Sequence, residues 1–240
     1  MPTITAILMS YKRKPNMPLI VDSYRRQTVD TEVWMINNNG NEDFGADKLI
    51  SIPWNAGEMA RYLFCARPRT KYVCFQDDDF MMKTEDFLEI GIKLVDQRPD
   101  YLVGTAGRNI NWENDLGKPG HYAPEAQKDK GAAILKGHFQ IFRRSIATRA
   151  HIMGHFSASD IWWALDISKG APAHFVSAEL AKRIKKLDRH NTGLEFRPEH
   201  WSERSDVVKK WIQRNNSAPY WWADGKRPTN NDYGLYPEDF

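Results

Sequence analysis

The chain has 240 residues, 41% of them hydrophobic and 27% charged, a composition that fits a globular protein with a large core. At this length, one large α/β domain is as plausible as two small domains. The formal net charge of +3 is only mildly basic, and the two cysteines exclude a disulfide framework and a zinc-ligand spacing. The amino-terminal residues lack the basic-then-apolar order of a signal peptide, and no apolar run can span a bilayer, so we expect a cytoplasmic protein.

Strands and helices alternate through the first part of the sequence. Apolar and β-branched runs predict strands over residues 3–9, 33–36, 49–52 and 71–75. Helices are expected between them, one ending near Gln27 and one over 57–66, and a further helix is expected after Thr84, which has the side chain of an N-cap. This alternation predicts right-handed crossovers and a mainly parallel sheet.

Polar residues follow three of these predicted strands. They form the Tyr11–Lys14 turn, the loop over 37–40 and the run of three carboxylates Asp77–Asp79. In parallel sheets, ligands bind outside the carboxyl ends of the strands. We therefore expect the three polar loops to meet on one rim of the sheet and to form the binding site.

The second half of the sequence is less regular. Its predicted elements are a strand over 101–105, a long loop over 109–130, one or two strands within 133–143, a short helix over 145–151 and a helix over 160–168. Ser159 is the expected cap of the last helix. Trp162 and Trp163 diverge by about 100° on it, so either one faces an acceptor or the helix packs on two sides. The basic segment 182–214 can contact phosphates or form solvated helix faces.

The three adjacent aspartates repel one another and need compensation. A hard divalent cation takes oxygen ligands, and carboxylates at i and i+2 of a turn can both bind one ion. Under this interpretation Asp77 and Asp79 bind the metal, while Asp78 turns away or contacts a ribose. The alternative is a solvated acidic turn before a helix. Placement at the carboxyl edge of a sheet, beside two other polar loops, favours the metal site.

Four short segments carry a family resemblance. In chain order they read ILMSYKR from Ile7, MINNNG from Met35, NAGEMAR from Asn55 and SDIW from Ser159. Together with the aspartates after the fourth strand, they resemble glycosyltransferases of the GT-A fold, in particular the inverting family 2 enzymes and the exostosin-like transferases of family 64. Ser159 departs from the family pattern, because it replaces the customary Glu. Beyond about Lys182 nothing resembles these families.

The resemblance implies an α/β fold of the GT-A, Rossmann-like type, with a mainly parallel central sheet flanked by helices and a less regular carboxyl-terminal region on the acceptor side. Residues 1–240 would form a single domain. Within it, 1–105 would bind a nucleotide sugar and 106–228 would form the acceptor side, where 137–139 lines the cleft. Residues 229–240 would be a flexible tail.

The resemblance also implies roles for individual residues. Those expected to bind the nucleotide are Ser10, Tyr11 and Arg13 in the base pocket, Asn38 at the base or ribose, and Asn55, Gly57 and Arg61 in support, with Arg61 near the diphosphate. Asp78 joins them through the ribose contact given above. Asp77 and Asp79 would hold Mn²⁺ or Mg²⁺, with His190 as a candidate third ligand ahead of His174 and His200. Asp160 would be the catalytic carboxylate, either a base towards the acceptor hydroxyl or a stabiliser of a cationic sugar. Plainer alternatives are a structural ion pair for Arg61, a helix-start residue for Asp160 and a surface or hydrogen-bonded histidine for His190.

These inferences predict a metal-dependent glycosyltransferase that moves a sugar from a nucleotide sugar, expected to be UDP-linked, to a hydroxyl acceptor. The acceptor can be a saccharide or a hydroxymethylated base of DNA, in which case a phage-encoded enzyme would act in the host cytoplasm. Two remoter alternatives are a non-catalytic sugar- or nucleic-acid-binding module and a haloacid-dehalogenase-like phosphatase. The phosphatase fits poorly, because its nucleophilic Asp usually follows the first strand rather than the fourth.

Overall fold

A computed structural model of the chain describes residues 1–108, 129–132, 134–150, 158–168, 174–188 and 200–215. The strands are β1 (Ile4–Ser10), β2 (Thr31–Asn38), β3 (Lys48–Ile52), β4 (Tyr72–Gln76), β5 (Phe80–Met82), β6 (Leu102–Gly104), β7 (Gly107–Arg108), β8 (Lys130–Gly131), β9 (Ile134–Leu135), β10 (Gln140–Arg143), β11 (His174–Val176) and β12 (Ile184–Lys186). The helices are α1 (Met17–Arg25), α2 (Met59–Phe64), α3 (Phe87–Gln97), α4 (Arg144–Ala147), α5 (Ser159–Ser168), α6 (Ala178–Lys182) and α7 (His200–Asn215), and a 3-10 turn covers Lys14–Asn16.

Eight strands form one sheet in the order β3-β2-β1-β4-β10-β6-β11-β8. Strands β3, β2, β1 and β4 are parallel, as are β6 and β11, whereas β10 and β8 run antiparallel to their neighbours. Two small ribbons, β5 with β12 and β7 with β9, lie outside this sheet. The expected mixed α/β architecture with a mainly parallel central sheet is confirmed.

Helices cover both faces of the sheet. Alternate residues of β1 point to opposite faces: Leu8 belongs to a core with Ile20 of α1 and Phe87 of α3. Ile7 belongs to the core on the other face, with Ala60 of α2 and Trp163 of α5. Burial on both faces explains the continuous apolar run over residues 6–9 of β1.

Helix α5 packs on two sides. Trp162 and Trp163 are each only 3% exposed. Trp163 lies between Tyr62 and Phe142, with ring centroids 5.0 and 5.3 Å away. Of the two alternatives for this tryptophan pair, the structure therefore favours packing over contact with an acceptor.

Two helix starts differ from the sequence prediction. Helix α3 has Asp86, not Thr84, at its N-cap position. The Thr84 carbonyl instead accepts a hydrogen bond from Gln27 Nε2 at 2.9 Å, which ties this segment to the end of α1. Ser159 is the first residue of α5 rather than the residue before it. Among the described residues, no helix has both the length and the apolar character needed to cross a membrane.

Candidate active site

The carboxyl ends of β1, β2 and β4 lie on one edge of the sheet, since these strands are parallel and in register. Ser10 pairs with Asn37, the partners at the ends of β1 and β2, and Gln76 at the end of β4 pairs with Leu8. The chain leaves β4 directly into the three aspartates, which form a turn that we call the diaspartate turn (Asp77–Asp79). The sequence prediction that three polar loops share one rim is therefore met by the strand geometry.

Backbone hydrogen bonds from distant segments hold the diaspartate turn. The Asp77 N–H donates to the Gly137 carbonyl at 2.7 Å, and the Leu187 N–H donates to the Asp79 carbonyl at 2.7 Å. A Cβ added to Gly137 would lie only 2.7 Å from Asp77 Cγ. A residue without a side chain is thus needed beside the Asp77 carboxylate.

Arg61 on α2 neutralises the first aspartate. Its Nη2 lies 2.9 Å from Asp77 Oδ1, and only 6% of Arg61 is exposed. Burial disfavours the charged guanidinium, but Asp77, Tyr62 and Glu58 together outweigh burial and raise the pKa of Arg61 above its ordinary value. Of the two roles expected for Arg61, the ion pair is the one seen in the structure.

Arg13 neutralises the other two aspartates. Its Nη1 lies 2.6 Å from Asp78 Oδ1 and 3.7 Å from Asp79 Oδ2. Burial raises the pKa of Asp78 above its ordinary value, while Arg13 opposes that rise. Two arginines therefore supply part of the charge compensation that three adjacent carboxylates require.

Asn38, Asn55 and Gly57 form one hydrogen-bonded loop. Asn38 is 1% exposed, and its Nδ2 donates to Asn55 Oδ1 at 2.9 Å. The Asn38 Oδ1 accepts from the Ala56 N–H at 2.7 Å, and Asn55 Oδ1 also accepts from the Gly57 N–H at 2.9 Å. Gly57 has a positive φ of 64°, which favours glycine there. This network shapes the loop before α2.

The remaining residues of the predicted base pocket lie at the end of β1. Ser10 is fully buried, and its Oγ makes no hydrogen bond to any residue in the described ranges. Tyr11 is half-buried, directly after the strand. Both lie on the rim that carries the diaspartate turn.

Asp160 forms a buried ion pair with a residue that the sequence did not single out. Asp160 lies in the first turn of α5, and Arg204 Nη2 on α7 is 2.7 Å from its Oδ2. The two side chains are only 12% and 10% exposed. Helix α7 thus folds back onto α5 and brings a cation to the candidate catalytic carboxylate.

Glu58, at the N-cap position of α2, responds to the charge of Asp160. Burial and, after it, the Asp160 carboxylate raise the pKa of Glu58 to about 8, while Arg204 and Arg61 oppose the rise. Asp77 also contributes to this rise. Helix α2, whose Arg61 pairs with Asp77, packs against α5 through Tyr62 and Trp163, so the two candidate groups lie on neighbouring elements.

Of the three histidines considered as metal ligands, the structure describes the side chain of His174 only. His190 and the side chain of His200 lie outside the described residues. His174 is 1% exposed at the start of β11, where it pairs with Leu102 at the start of the parallel strand β6. His174 therefore lies at the amino end of its strand, away from the rim that carries the aspartates.

The donor chemistry of the diaspartate turn suits a hard divalent cation. Asp77 and Asp79 offer carboxylate oxygens, the ligands that Mg²⁺ and Mn²⁺ prefer. Within the described ranges no group of three metal-ligating side chains is assembled. The oxygen donors of Asp77 and Asp79 therefore suit such an ion. Its remaining ligands would have to come from other groups, such as the substrate or water.

An open, mainly parallel sheet with this turn after its fourth strand is the GT-A fold of glycosyltransferases, as the solved structures that resemble the chain show. The Staphylococcus aureus protein TarS (residues 1–349), in complex with UDP-GlcNAc, matches 90% of this chain and 68% of its own, with a TM-score of 0.66 at 12% identity. The mannosyltransferase PcManGT from Pyrobaculum calidifontis, in complex with GDP-Man and Mn²⁺, matches 97% of this chain and 67% of its own, with a TM-score of 0.60 at 14% identity.

The sequence itself is similar to Exostosin-2. The proteins from Homo sapiens and Bos taurus are each 22% identical to this chain over 258 residues, which cover 98% of it. The chain spans only 35% of the length of these relatives. No protein-family profile matches. The expected resemblance to GT-A and exostosin-like glycosyltransferases is confirmed.

Proposed function

We propose that the protein is a metal-dependent glycosyltransferase that moves a sugar from a nucleotide sugar, UDP-linked, to a hydroxyl acceptor. The observation that carries this proposal is that Arg61 of α2 pairs with Asp77 of the diaspartate turn, while α2 packs against α5, which carries Asp160 and its partner Arg204. The complexes of the two fold relatives with UDP-GlcNAc and with GDP-Man and Mn²⁺ support it.

Asp77 and Asp79 would hold Mn²⁺ or Mg²⁺. His190 is proposed as a further ligand. It follows Asp188 by two residues in the sequence, and Asn16 holds the Asp188 carbonyl beside the diaspartate turn, which supports this proposal. A bound divalent ion offsets the negative charge that grows on a departing diphosphate. Arg61 and Arg13 orient the carboxylates of the turn, Arg61 from a buried position and Arg13 from a half-buried one.

The base and ribose of the donor would lie over the ends of β1 and β2. Ser10 and Tyr11 are proposed to line the base pocket, with Asp78 towards the ribose. The hydrogen bonds of Asn38 support a role for it, with Asn55 and Gly57, in shaping the pocket wall. Residues 1–105 would then bind the donor and 106–228 the acceptor.

Asp160 is proposed to act on the acceptor hydroxyl as a base, or to stabilise a cationic sugar. Its ion pair with Arg204 favours the ionised carboxylate, which either role requires. Nothing in the described residues or in the comparisons favours DNA over a saccharide as the acceptor. The GT-A topology supports a glycosyltransferase over the haloacid-dehalogenase-like phosphatase.

A thermal-shift panel of UDP-, GDP- and TDP-sugars, each with and without Mn²⁺, tests the proposal. Ligands that bind the native state raise its stability, so a UDP-sugar with Mn²⁺ should give the largest rise in Tm. Asp79→Ala should abolish this rise and the Mn²⁺-dependent hydrolysis of the donor. Asp96→Ala is the matched control, because Asp96 is a paired but exposed carboxylate on α3 that accepts hydrogen bonds from Tyr72 and Arg143. Unchanged hydrolysis in Asp79→Ala would refute the metal assignment.

A further inference from the structure

Asn16 connects two parts of the site that lie far apart in the sequence. It ends the 3-10 turn after β1 and is only 4% exposed. Its Nδ2 donates two hydrogen bonds of 2.8 Å, one to the Asp78 carbonyl and one to the Asp188 carbonyl, 62 and 172 residues away. Both protons of the side-chain amide are thereby used.

These two bonds require a neutral side chain with two donors. Each carbonyl belongs to a backbone segment that is partly buried, and leaving such an acceptor without a partner costs about 1–3 kcal/mol. Leucine has almost the same shape as asparagine but no donor, and serine has one donor rather than two. Asparagine is therefore the side chain that satisfies both segments at once.

The bond to Asp78 completes the backbone support of the diaspartate turn. Gly137 accepts from the Asp77 N–H, and the Asp79 carbonyl accepts from Leu187. The Phe80 carbonyl accepts from Gln76 Nε2. Asn16 supplies the support at Asp78, and its bond to the Asp188 carbonyl is a second tie to the segment after β12, beside the Leu187–Asp79 bond.

We propose that Asn16 is a positioning residue that fixes the diaspartate turn against the segment ending at Asp188, and that it thereby sets the affinity of the site for a divalent cation. The inference rests on the proposed function, because it takes Asp77 and Asp79 as the metal ligands. Asn16 touches the backbone of the turn rather than its carboxylates. Residues that orient metal ligands in this indirect way typically change metal affinity 10–100-fold when they are replaced.

Gln27 offers a matched control. Its Nε2 also joins two backbone carbonyls, Ser23 at 3.0 Å and Thr84 at 2.9 Å, and its Oε1 accepts from the Leu88 N–H at 3.0 Å. This bridge between α1 and α3 has no contact with the diaspartate turn in the described part of the chain. Gln27→Leu therefore removes a similar, half-buried side-chain bridge without touching the proposed site.

The test measures Mn²⁺ binding to the full chain by electron paramagnetic resonance of free Mn²⁺, without any sugar donor. Asn16→Leu should weaken Mn²⁺ binding at least about tenfold, and Asn16→Ser should give an intermediate loss because it keeps one donor. Gln27→Leu should lower Tm but bind Mn²⁺ as the parent does. Faster hydrogen exchange of the peptides that contain Asp77 and Leu187 should accompany the loss in Asn16→Leu.

The outcomes separate the two claims. If the parent binds Mn²⁺ and Asp77→Asn does not, a parental affinity in Asn16→Leu overturns the role of Asn16 alone. An equal loss of Mn²⁺ binding in Gln27→Leu also overturns it, because general destabilisation would then explain the effect. A parent protein that binds no Mn²⁺ overturns both the inference and the proposed metal dependence.

Discussion

Arg204 Nη2 lies 2.7 Å from Asp160 Oδ2, in an ion pair that joins the last described helix to the candidate catalytic carboxylate. Burial disfavours the charge on Arg204, but Asp160 and Glu58 raise its pKa above the ordinary value. Breaking a buried pair leaves one charge without compensation, which is far costlier than breaking an exposed pair. Helix α7 therefore contributes to the site as well as to the fold.

Replacing one partner of this pair should cost more than replacing both. Arg204→Met leaves the Asp160 carboxylate buried beside Glu58, and we expect it to lower the free energy of unfolding by about 3–5 kcal/mol. Asp160→Asn combined with Arg204→Met should recover most of that loss but not the transferase activity. Urea unfolding and donor-turnover assays on the parent, both single variants and the double variant measure the coupling.

Arg183→Met is the control for this cycle. Arg183 pairs with Asp86 at 2.9 Å, but the two side chains are 30% and 46% exposed. We expect a loss of less than about 1 kcal/mol, as is usual for exposed pairs. Equal losses in Arg183→Met and Arg204→Met would show that the Arg204 pair is not effectively buried.

A methyl group at position 137 should displace the Asp77 carboxylate. The Cβ of Gly137→Ala would meet both carboxylate oxygens as well as Cγ, while Arg61 holds the carboxylate from the other side. We expect weaker Mn²⁺ binding and slower donor hydrolysis, with a stability loss of about 1–3 kcal/mol from overpacking. Mn²⁺ titration and urea unfolding separate the two effects.

Gly91→Ala is the matched glycine variant. Its added Cβ would meet only the end of the Ile141 side chain, at 3.2 Å, and the position lies inside α3, where alanine is the better helix former by about 1 kcal/mol. Mn²⁺ binding should therefore stay at the parental level. If Gly137→Ala also binds Mn²⁺ normally, Asp77 is not a ligand or the carboxylate finds a second position.

The parallel half of the fold was predictable because its signals are local. Strands β1, β2 and β4 are runs of five or more residues that are buried on both faces, and such runs read as uninterrupted apolar segments. The three-residue strands β5, β11 and β12 were missed, since their pairing depends on contacts far along the chain. The prediction of Thr84 as the N-cap of α3 was also wrong, because the Thr84 carbonyl bonds to Gln27, a contact that is distant in the sequence.

The site was predicted in part. The sequence placed Asp77, Asp79 and Arg13 on one rim, because strand ends and turns locate them. It missed Glu58 and Arg204, whose relevance arises only when α2, α5 and α7 meet. A usable signal did exist for Arg204: it lies three and seven residues before Val207 and Trp211, the buried stripe of α7.

Trp211 should anchor α7 and, with it, Arg204. Trp211 is 1% exposed, so Trp211→Ala removes a large buried side chain and should cost about 3–5 kcal/mol. Hydrogen exchange should increase in α7 before it increases in the central sheet. Trp54→Ala is the comparison, because Trp54 is 62% exposed and its loss should change stability by less than about 0.5 kcal/mol. Uniform protection of α7 in Trp211→Ala would contradict this anchoring role.

His174 should make the protein sensitive to mild acid. It is 1% exposed, its ring nitrogens have no hydrogen-bond partner in the described ranges, and burial lowers its pKa from 6.5 to about 4. Between these two values the unfolded chain binds a proton at His174 and the native chain does not. The free energy of unfolding therefore falls as the pH drops from 6.5 towards 4, by up to about 3 kcal/mol from this residue.

Two variants of His174 distinguish the effect of its protonation on stability from the effect of burying a polar side chain. His174→Phe and His174→Gln both lack the titrating imidazole, so each should flatten the loss of stability between pH 6.5 and 4 that the parent shows. Only His174→Phe should also gain stability at pH 7.5, because it places an apolar ring among buried apolar neighbours instead of an unbonded amide. Urea unfolding at several pH values from 4.5 to 7.5 gives both quantities. If the parent and both variants lose stability equally on acidification, other groups govern the acid response and the buried imidazole is protonated as easily as a free one.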